Sequence, residues 1–507
     1  MLKNTLRIIF PTIIFAVHQS VFGAGPPPFT VHNITTPFKV SHPVVVANIS
    51  PASGSELLVL GVDELGQRSV AVYGLNAPTN KLTLLDNISV PNSIFAIDVG
   101  EVSTEGLQNL FLLSKNMIYK YVPGQLSQEA HLVEEQSVSS MYLGNFADAI
   151  SSRDFARDIN DDGKDDFVIP HFEQLNLWLS DCCSQRHYQS LPIAAQLKVD
   201  KDSVTFGETQ LYYADLTLDG KTDVVLVEQG KLIIYPQKQD TQFATQALQV
   251  NINKTIHGVN WWDIVEADGQ NMDQSELTHR KVENIQDMNG DNIADIAVRF
   301  TKSSGVLDRV NDYQFFFGSV INKQLTYPEQ PDTAIISDET LSDLQLIDLD
   351  ADGKQEVMLS SFDLGLSQII GALLSGSIEQ DALIFSMDEN NKFIKKPLVN
   401  QEVEITFSLS SGRSGEPLLK VADVNGDKFK DLVFSDDDDQ IHVLFATPKG
   451  KRAFAKRPVK QKLKVPKNAE NAAQSDLNND GKADFILHYG RLDESDMLAQ
   501  LTVLIAN

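Results

Sequence analysis

The sequence holds two cysteines in 507 residues, and they are neighbours, Cys182 and Cys183. An adjacent pair closes only a small local ring, so disulfide bracing of the fold is excluded. The pair is either a vicinal disulfide or two ordinary thiols. Long apolar runs are equally scarce. The run from Ile8 to Val17 is too short to span a bilayer, and Pro11 interrupts it. Lys3 and Arg7 precede that run and the small residues Gly23 and Ala24 follow it, so residues 1–24 read as an export signal. Residues 25–507 are then a single mature domain, secreted or periplasmic. With no cysteine near the cleavage region and no later apolar run of sufficient length, neither a lipid anchor nor membrane insertion is expected. Positive charge is also in deficit, with 42 Lys and Arg against 69 Asp and Glu, a net charge of −27. A surface of that sign repels phosphate backbones, which removes nucleic acid from the candidate partners and favours metal cations. No Ser-His-Asp order, zinc-ligand spacing or phosphate-cradling glycine loop stands out.

What the sequence has is repetition. The segment DLNNDGKADFIL, from Asp476, returns as DINDDGKDDFVI from Asp158, DLTLDGKTDVVL from Asp215, DMNGDNIADIAV from Asp287, DLDADGKQEVML from Asp348 and DVNGDKFKDLVF from Asp423. The starts are separated by 57, 72, 61, 75 and 53 residues. Two worn copies precede them. One lies around Asn48, with an acid at Glu56, and the other around Asp98. Each copy joins two apolar runs rich in Val, Ile, Leu and Phe, then a third such run and a more polar fourth. Runs of this kind suit strands covered on both faces. Four strands per unit is the grammar of a propeller blade. The expected fold is therefore all-β, a β-propeller of eight four-stranded blades, or seven if one worn unit is misread. After the last acidic loop there is room for only two strands, so the N-terminal segment FTVHNITTPFKVSH is expected to supply the outer strand of the last blade and close the ring.

Asp or Asn at positions 1, 3 and 5, Gly at 4 or 6, and an acid at 9 place oxygen atoms around a tight turn. That spacing suits a hard cation such as calcium, which takes six to eight oxygen ligands. An EF-hand is excluded because position 12 is apolar and the flanking segments are strands. Asp, Asn and Gly also make good turns unaided, but six copies with a fixed acid at position 9 favour several bound calcium ions.

The units resemble the FG-GAP and VCBS-like repeats of calcium-binding β-propellers, including the integrin α-subunit head. The likeness covers residues 48–507 as a period, and its specific part is the acidic loop. Carried over by position, it implies side-chain ligands at Asp158, Asn160, Asp162 and Asp166; at Asp215, Thr217, Asp219 and Asp223; at Asp287, Asn289, Asp291 and Asp295. In the later loops it implies Asp348, Asp350, Asp352 and Glu356; Asp423, Asn425, Asp427 and Asp431; and Asp476, Asn478, Asp480 and Asp484. Thr217 is the departure within the set, replacing an amide or acid. The family's own FG and GAP elements are not visible around the loops, which points to the bacterial secreted branch.

In an up-and-down blade the acidic loops share one face with the third-to-fourth turns. The longest insertions, residues 195–210, 251–283, 301–312 and 400–417, are expected on the opposite face. There Trp261 and Trp262, beside Asp263, Glu266 and Asp268, form either a sugar-stacking platform or a plug between blades. His279 and Arg280 are the pair a polysaccharide lyase would need as base and charge stabiliser. DDDD from Asp436 reads as a solvated turn. The functional expectation is a monomeric binding or adhesion scaffold for a protein or glycan, with a glycan-active enzyme on the same propeller as the competing class.

Overall fold

The computed structural model describes residues 26–507 apart from 52–53, 77–80, 103–105, 124–130, 142–149, 181–185, 196, 200–203, 208, 267–269, 306–307, 363–376, 409–412, 437–438 and 448–451. The export segment, the Cys182–Cys183 pair and Asp268 lie outside the described residues. Eight sheets of four or five strands succeed one another along the chain and form an eight-bladed β-propeller. The two helical elements among the described residues are single 3-10 turns, Trp261–Asp263 and Ala469–Asn471.

The apolar runs become the second and third strands of the blades because both of their faces are covered. Alternate residues of a strand point to opposite faces. In blade 1 the second strand, Glu56–Val62, sends Leu57 and Val59 into a layer shared with blade 8, and Leu58 and Leu60 into one shared with blade 2. In blade 5 the second strand, Asp295–Gly305, turns Ile296 and Val298 toward blade 4 and Ala297 toward blade 6. The remaining layers follow the same rule, so eight apolar clusters alternate with eight sheets around the ring. Each fully buried Leu, Ile or Phe there stabilises the ring by roughly 1.5–3 kcal/mol.

Closure runs through the N-terminal strand, as the chain ends imply. Phe29–Thr35 pairs antiparallel with Gln500–Ala506, from Phe29 opposite Ala506 to Thr35 opposite Gln500, and becomes the outer strand of blade 8. Both worn units form complete blades. In blade 1 the inner strand is broken into Lys39–Val40 and Val45–Ala47, both paired with Glu56–Val62, and Pro43 sits in the gap, where no ladder N–H is available.

The described residues of the insertions add strands. Residues 301–305 and 308–312 belong to the paired strands Asp295–Gly305 and Asp308–Phe316, and 400–408 lie in the fourth strand of blade 6, Val399–Ser408. Ile256–His257 adds a parallel strand to the inner edge of blade 5, and Ser151–Ser152 does so in blade 2. Leu197–Val199 and Val204–Phe206 form a separate two-stranded sheet.

Candidate metal centre

All six acidic loops share one backbone conformation. Position 4 is left-handed in each: φ is 58° at Asp161, 62° at Leu218, 80° at Gly290, 60° at Ala351, 76° at Gly426 and 58° at Asn479. Position 6 is left-handed as well, at Gly163, Gly220, Asn292, Gly353, Lys428 and Gly481. Each loop therefore needs two residues in a region that L side chains avoid. The sequences place one glycine per loop and tolerate a side chain at the other site. Position 2 anchors the turn from below, since Ile159, Leu216, Met288, Leu349, Val424 and Leu477 are all buried.

Within the turn the first Asp faces inward. Asp158 accepts the N–H of Asp162 on Oδ1 at 3.0 Å and that of Gly163 on Oδ2 at 2.7 Å. Asp476 accepts from Asp480 at 3.0 Å and Gly481 at 2.8 Å, and Asp215, Asp287, Asp348 and Asp423 do the same in their own loops. The amide oxygens of Asn160, Asn289, Asn425 and Asn478 also accept the position-5 N–H. The position-5 carboxylates of Asp162, Asp219, Asp291, Asp352, Asp427 and Asp480 accept the position-7 N–H. An ionised carboxylate offers about four acceptor sites, so these bonds orient the oxygens without exhausting them.

The acid at position 9 begins the second strand and is buried: Asp166, Asp223, Asp295, Asp431 and Asp484 have no exposed surface, and Glu356 is 6% exposed. In all of these except Asp166 one carboxylate oxygen ties back to position 2, as in Asp484 with the Leu477 N–H at 2.9 Å and Asp431 with the Val424 N–H at 3.0 Å. The other ties to the end of the third strand, through Ala506 to Asp484, Ala446 to Asp431, Gly318 to Asp295, Gln237 to Asp223 and Ser180 to Asp166. In Asp223, Asp295, Asp431 and Asp484 one side chain thus joins three segments of a blade. Burial, reinforced by the acids of the same loop, pushes the carboxyls of Asp166, Asp295 and Glu356 up to about 7 and those of Asp431 and Asp484 up to about 6. Asp223, Asp162 and Asp350 move in the same direction, again chiefly through burial.

The residues present fit a hard cation. In the fourth loop Asp348, Asp350 and Glu356 bring carboxylate oxygens within 4.8 Å of one another. In the first loop Asp166 keeps Oδ2 buried and without a hydrogen-bond partner, and in the second Thr217 keeps Oγ1 in the same state. Asp350 of the fourth loop is open to solvent, but the Asp166 and Thr217 oxygens are cut off from water without a protein partner. Such groups are costly unless something satisfies them.

The worn units have kept different parts of the device. Glu56 still accepts the N–H groups of Ile49 at 2.9 Å and Ser50 at 3.2 Å, as a position-9 acid does. Asp98 has changed employment, accepting Phe155 N–H at 2.6 Å and Ala156 N–H at 2.7 Å, which links blade 2 to blade 3. Successive loops are also joined by backbone. The position-8 N–H groups of Gln355, Lys430 and Ala483 donate to Met288, Leu349 and Asp423 of the preceding blade, and Ser55 of blade 1 donates to Leu477 of blade 8.

Trp261 and Trp262 lie in the connection from blade 4 to blade 5, on the face opposite the acidic loops. They part company there. Trp261 is 7% exposed and packed near Arg309, whereas Trp262 is 43% exposed with the Arg299 guanidinium 5.5 Å from its ring. Their rings meet edge to face at 5.3 Å, so they do not make one flat platform. His279 and Arg280, adjacent on one strand, project to opposite faces of their sheet. His279 is buried, bonded to the Val259 carbonyl at 2.8 Å and pushed down to about 4 by burial, while Arg280 is bound to Gln314 and Thr255. The two do not converge on a common point. Asp436, about half exposed, lies with a carboxylate oxygen 3.2 Å from Nε2 of the buried His442.

A second repeated device passed unnoticed in the sequence. The third-to-fourth turns of blades 4, 6 and 7 close with bridges between Gln237 and Phe243, Met387 and Phe393, and Ala446 and Phe454, and each Phe is buried. The signal was FATQAL, FIKKPL and FAKRPV, a buried aromatic followed by a polar run. Variable spacing from the acidic loop hid it.

No family model matches the sequence, and no curated protein matches it. Among solved structures the chain is similar to an Agrocybe aegerita lectin, described for specific recognition of non-reducing terminal N-acetylglucosamine, at 12% identity and a TM-score of 0.41, over 85% of this chain and 94% of that one. It is similar to the Dos1 propeller at 9% identity and a TM-score of 0.40, over 94% and 95% of the two chains. It is also similar to the V. cholerae biofilm matrix protein Bap1 at 10% identity and a TM-score of 0.33, over 95% and 92%.

Proposed function

We propose that this chain is an exported, monomeric binding scaffold of the FG-GAP/VCBS-like kind, a propeller braced by calcium on one face and presenting a protein- or glycan-binding surface on the other. The observation that carries the calcium reading is the cluster of Asp348, Asp350 and the buried Glu356, whose oxygens converge within 4.8 Å. Residues at positions 1, 3, 5 and 9 of the six loops would hold the ions. A bound divalent cation supplies positive charge that offsets the mutual repulsion of each loop's carboxylates. The binding face is assigned to the opposite side because the blade-to-blade connections that carry Trp262 lie there.

The test is thermal unfolding with excess calcium and with excess EDTA. A ligand bound by the native state alone raises stability by mass action, about 2.7 kcal/mol at a concentration one hundred times Kd. The midpoint should rise with calcium, and Glu356→Gln should reduce that rise. Equal midpoints in calcium and EDTA would remove the cation from this reading.

A further inference from the structure

We infer that a cavity at the closure seam, between blades 8 and 1 on the face opposite the acidic loops, is a binding site for a carboxylated sugar. The cavity has a volume of about 570 Å³, within the ordinary range for small-ligand sites. Its wall comes from the start of the inner strand of blade 1 (Lys39), the connection entering blade 8 (Asn468, Asn471), the end of the second strand of blade 8 (His488), and the second-to-third turns of blade 1 (Asp63) and blade 8 (Arg491).

Two independent observations define the ligand. The first is His488, 3% exposed, whose Nδ1 is buried with no hydrogen-bond partner. The ring bonds the Asn471 backbone and burial keeps it neutral, pushing its pKa down to about 4. A neutral imidazole that gives its one N–H to a backbone carbonyl leaves the other nitrogen as a bare acceptor. The group that satisfies a buried acceptor of this kind is a donor, and a hydroxyl is the smallest uncharged one a sugar offers.

The second observation is charge. In a molecule of net charge −27, Lys39 and Arg491 line one cavity, and neither forms an ion pair among the described residues. Asp63 in the same wall accepts the N–H groups of Leu65 at 2.9 Å and Gln67 at 2.8 Å on one oxygen and keeps its charge, so the wall carries two positive groups against one negative. An Arg and a Lys facing a polar cavity select a carboxylate. Asn468 is bonded to Glu416 and Glu470 and shapes the wall, and Asn471 adds an amide group suited to ring hydroxyls. Gly490 makes room for that amide, because a Cβ there would lie 2.7 Å from Asn471 Nδ2.

This site deepens the reading of the opposite face as a binding surface and does not depend on the cation. The test uses calcium-loaded protein and follows the thermal midpoint against sodium D-glucuronate, D-glucose and sodium acetate at constant ionic strength. Glucuronate should give a saturable rise that glucose and acetate do not match, and the double variant Lys39→Gln/Arg491→Gln, altered at polar wall positions, should weaken it about 10- to 100-fold. An equal rise with acetate would overturn the sugar assignment, and no saturable rise with glucuronate would overturn the site. Polygalacturonate separates the two readings. If it binds wild type and the double variant equally, the cavity falls while the binding scaffold stands; if it and glucuronate both fail to bind, neither is supported.

Discussion

Asp295 has no exposed surface, yet Asp291 and Asp287 of its own loop raise its pKa further after burial has done most of the work. The sign of the resulting pH dependence follows from the folded value, about 7, lying above that of an unfolded carboxylate, about 4. The native state therefore binds protons more tightly than the unfolded chain between those values. The stability contributed by Asp166, Asp295 and Glu356 is fully present below about pH 4 and is lost as pH rises through about 7; for Asp431 and Asp484 it is lost through about 6. Calcium competes with those protons for the same oxygens. In EDTA, these groups should make the protein less stable at pH 8 than at pH 5.5, and the gain on adding calcium should be larger at pH 8. Thermal midpoints at the two pH values, with and without calcium, check both halves. A calcium gain that grows as pH falls would contradict the account.

At the scale of the element, a loop works through two left-handed residues and a close approach to its neighbour. Gly220 and Gly290 separate these effects. Both have φ near +80°, but a Cβ on Gly220 meets nothing within 4 Å, whereas one on Gly290 lies 3.1 Å from the Gly353 carbonyl oxygen of the next blade. Gly220→Ala should cost about 1 kcal/mol from the backbone alone, and Gly290→Ala should cost more. Denaturant midpoints of the two variants give the comparison, and equal losses would show that the approach between loops carries no weight. The acidic loops were the most legible element in the sequence because their length is fixed and each position has one task. Seen from the sequence alone, Asp166 and Glu356 looked like ligands only. The structure gives the position-9 acids a backbone-bonding duty as well, which no spacing within one loop reveals, because Ala446, Gly318 and Ala506 reach them from the end of the third strand. Phe243, Phe393 and Phe454 were missed for the opposite reason, since their distance from the loop varies with every insertion.

For the whole molecule, closure rests on one strand. Phe29 is 1% exposed within the layer between blades 7 and 8, and Ile34 packs against the layer between blades 8 and 1. Deleting residues 26–36 strips blade 8 of its outer strand and opens both layers. The midpoint should fall by more than any single loop substitution achieves, and amides of Gln500–Ala506 should exchange faster while those of Lys231–Tyr235 in blade 4 keep their protection at early times. A synthetic peptide of residues 26–36 should restore the midpoint by strand addition. An undiminished midpoint in the deletion would show that closure lies elsewhere. The ring and its closing strand were readable from the repeat count and the two-strand remainder at the C-terminus. The seam cavity was not, because Lys39, His488 and Arg491 are brought together only when the circle closes.

The peptide links between position 8 of one loop and the preceding loop use no side chain. Running from blade 5 through blade 8 and on to blade 1, they form an arc of main chain over four of the eight junctions. Along that arc the spacing of neighbouring blades is held by peptide groups, so outward-pointing side chains there can vary without touching these links.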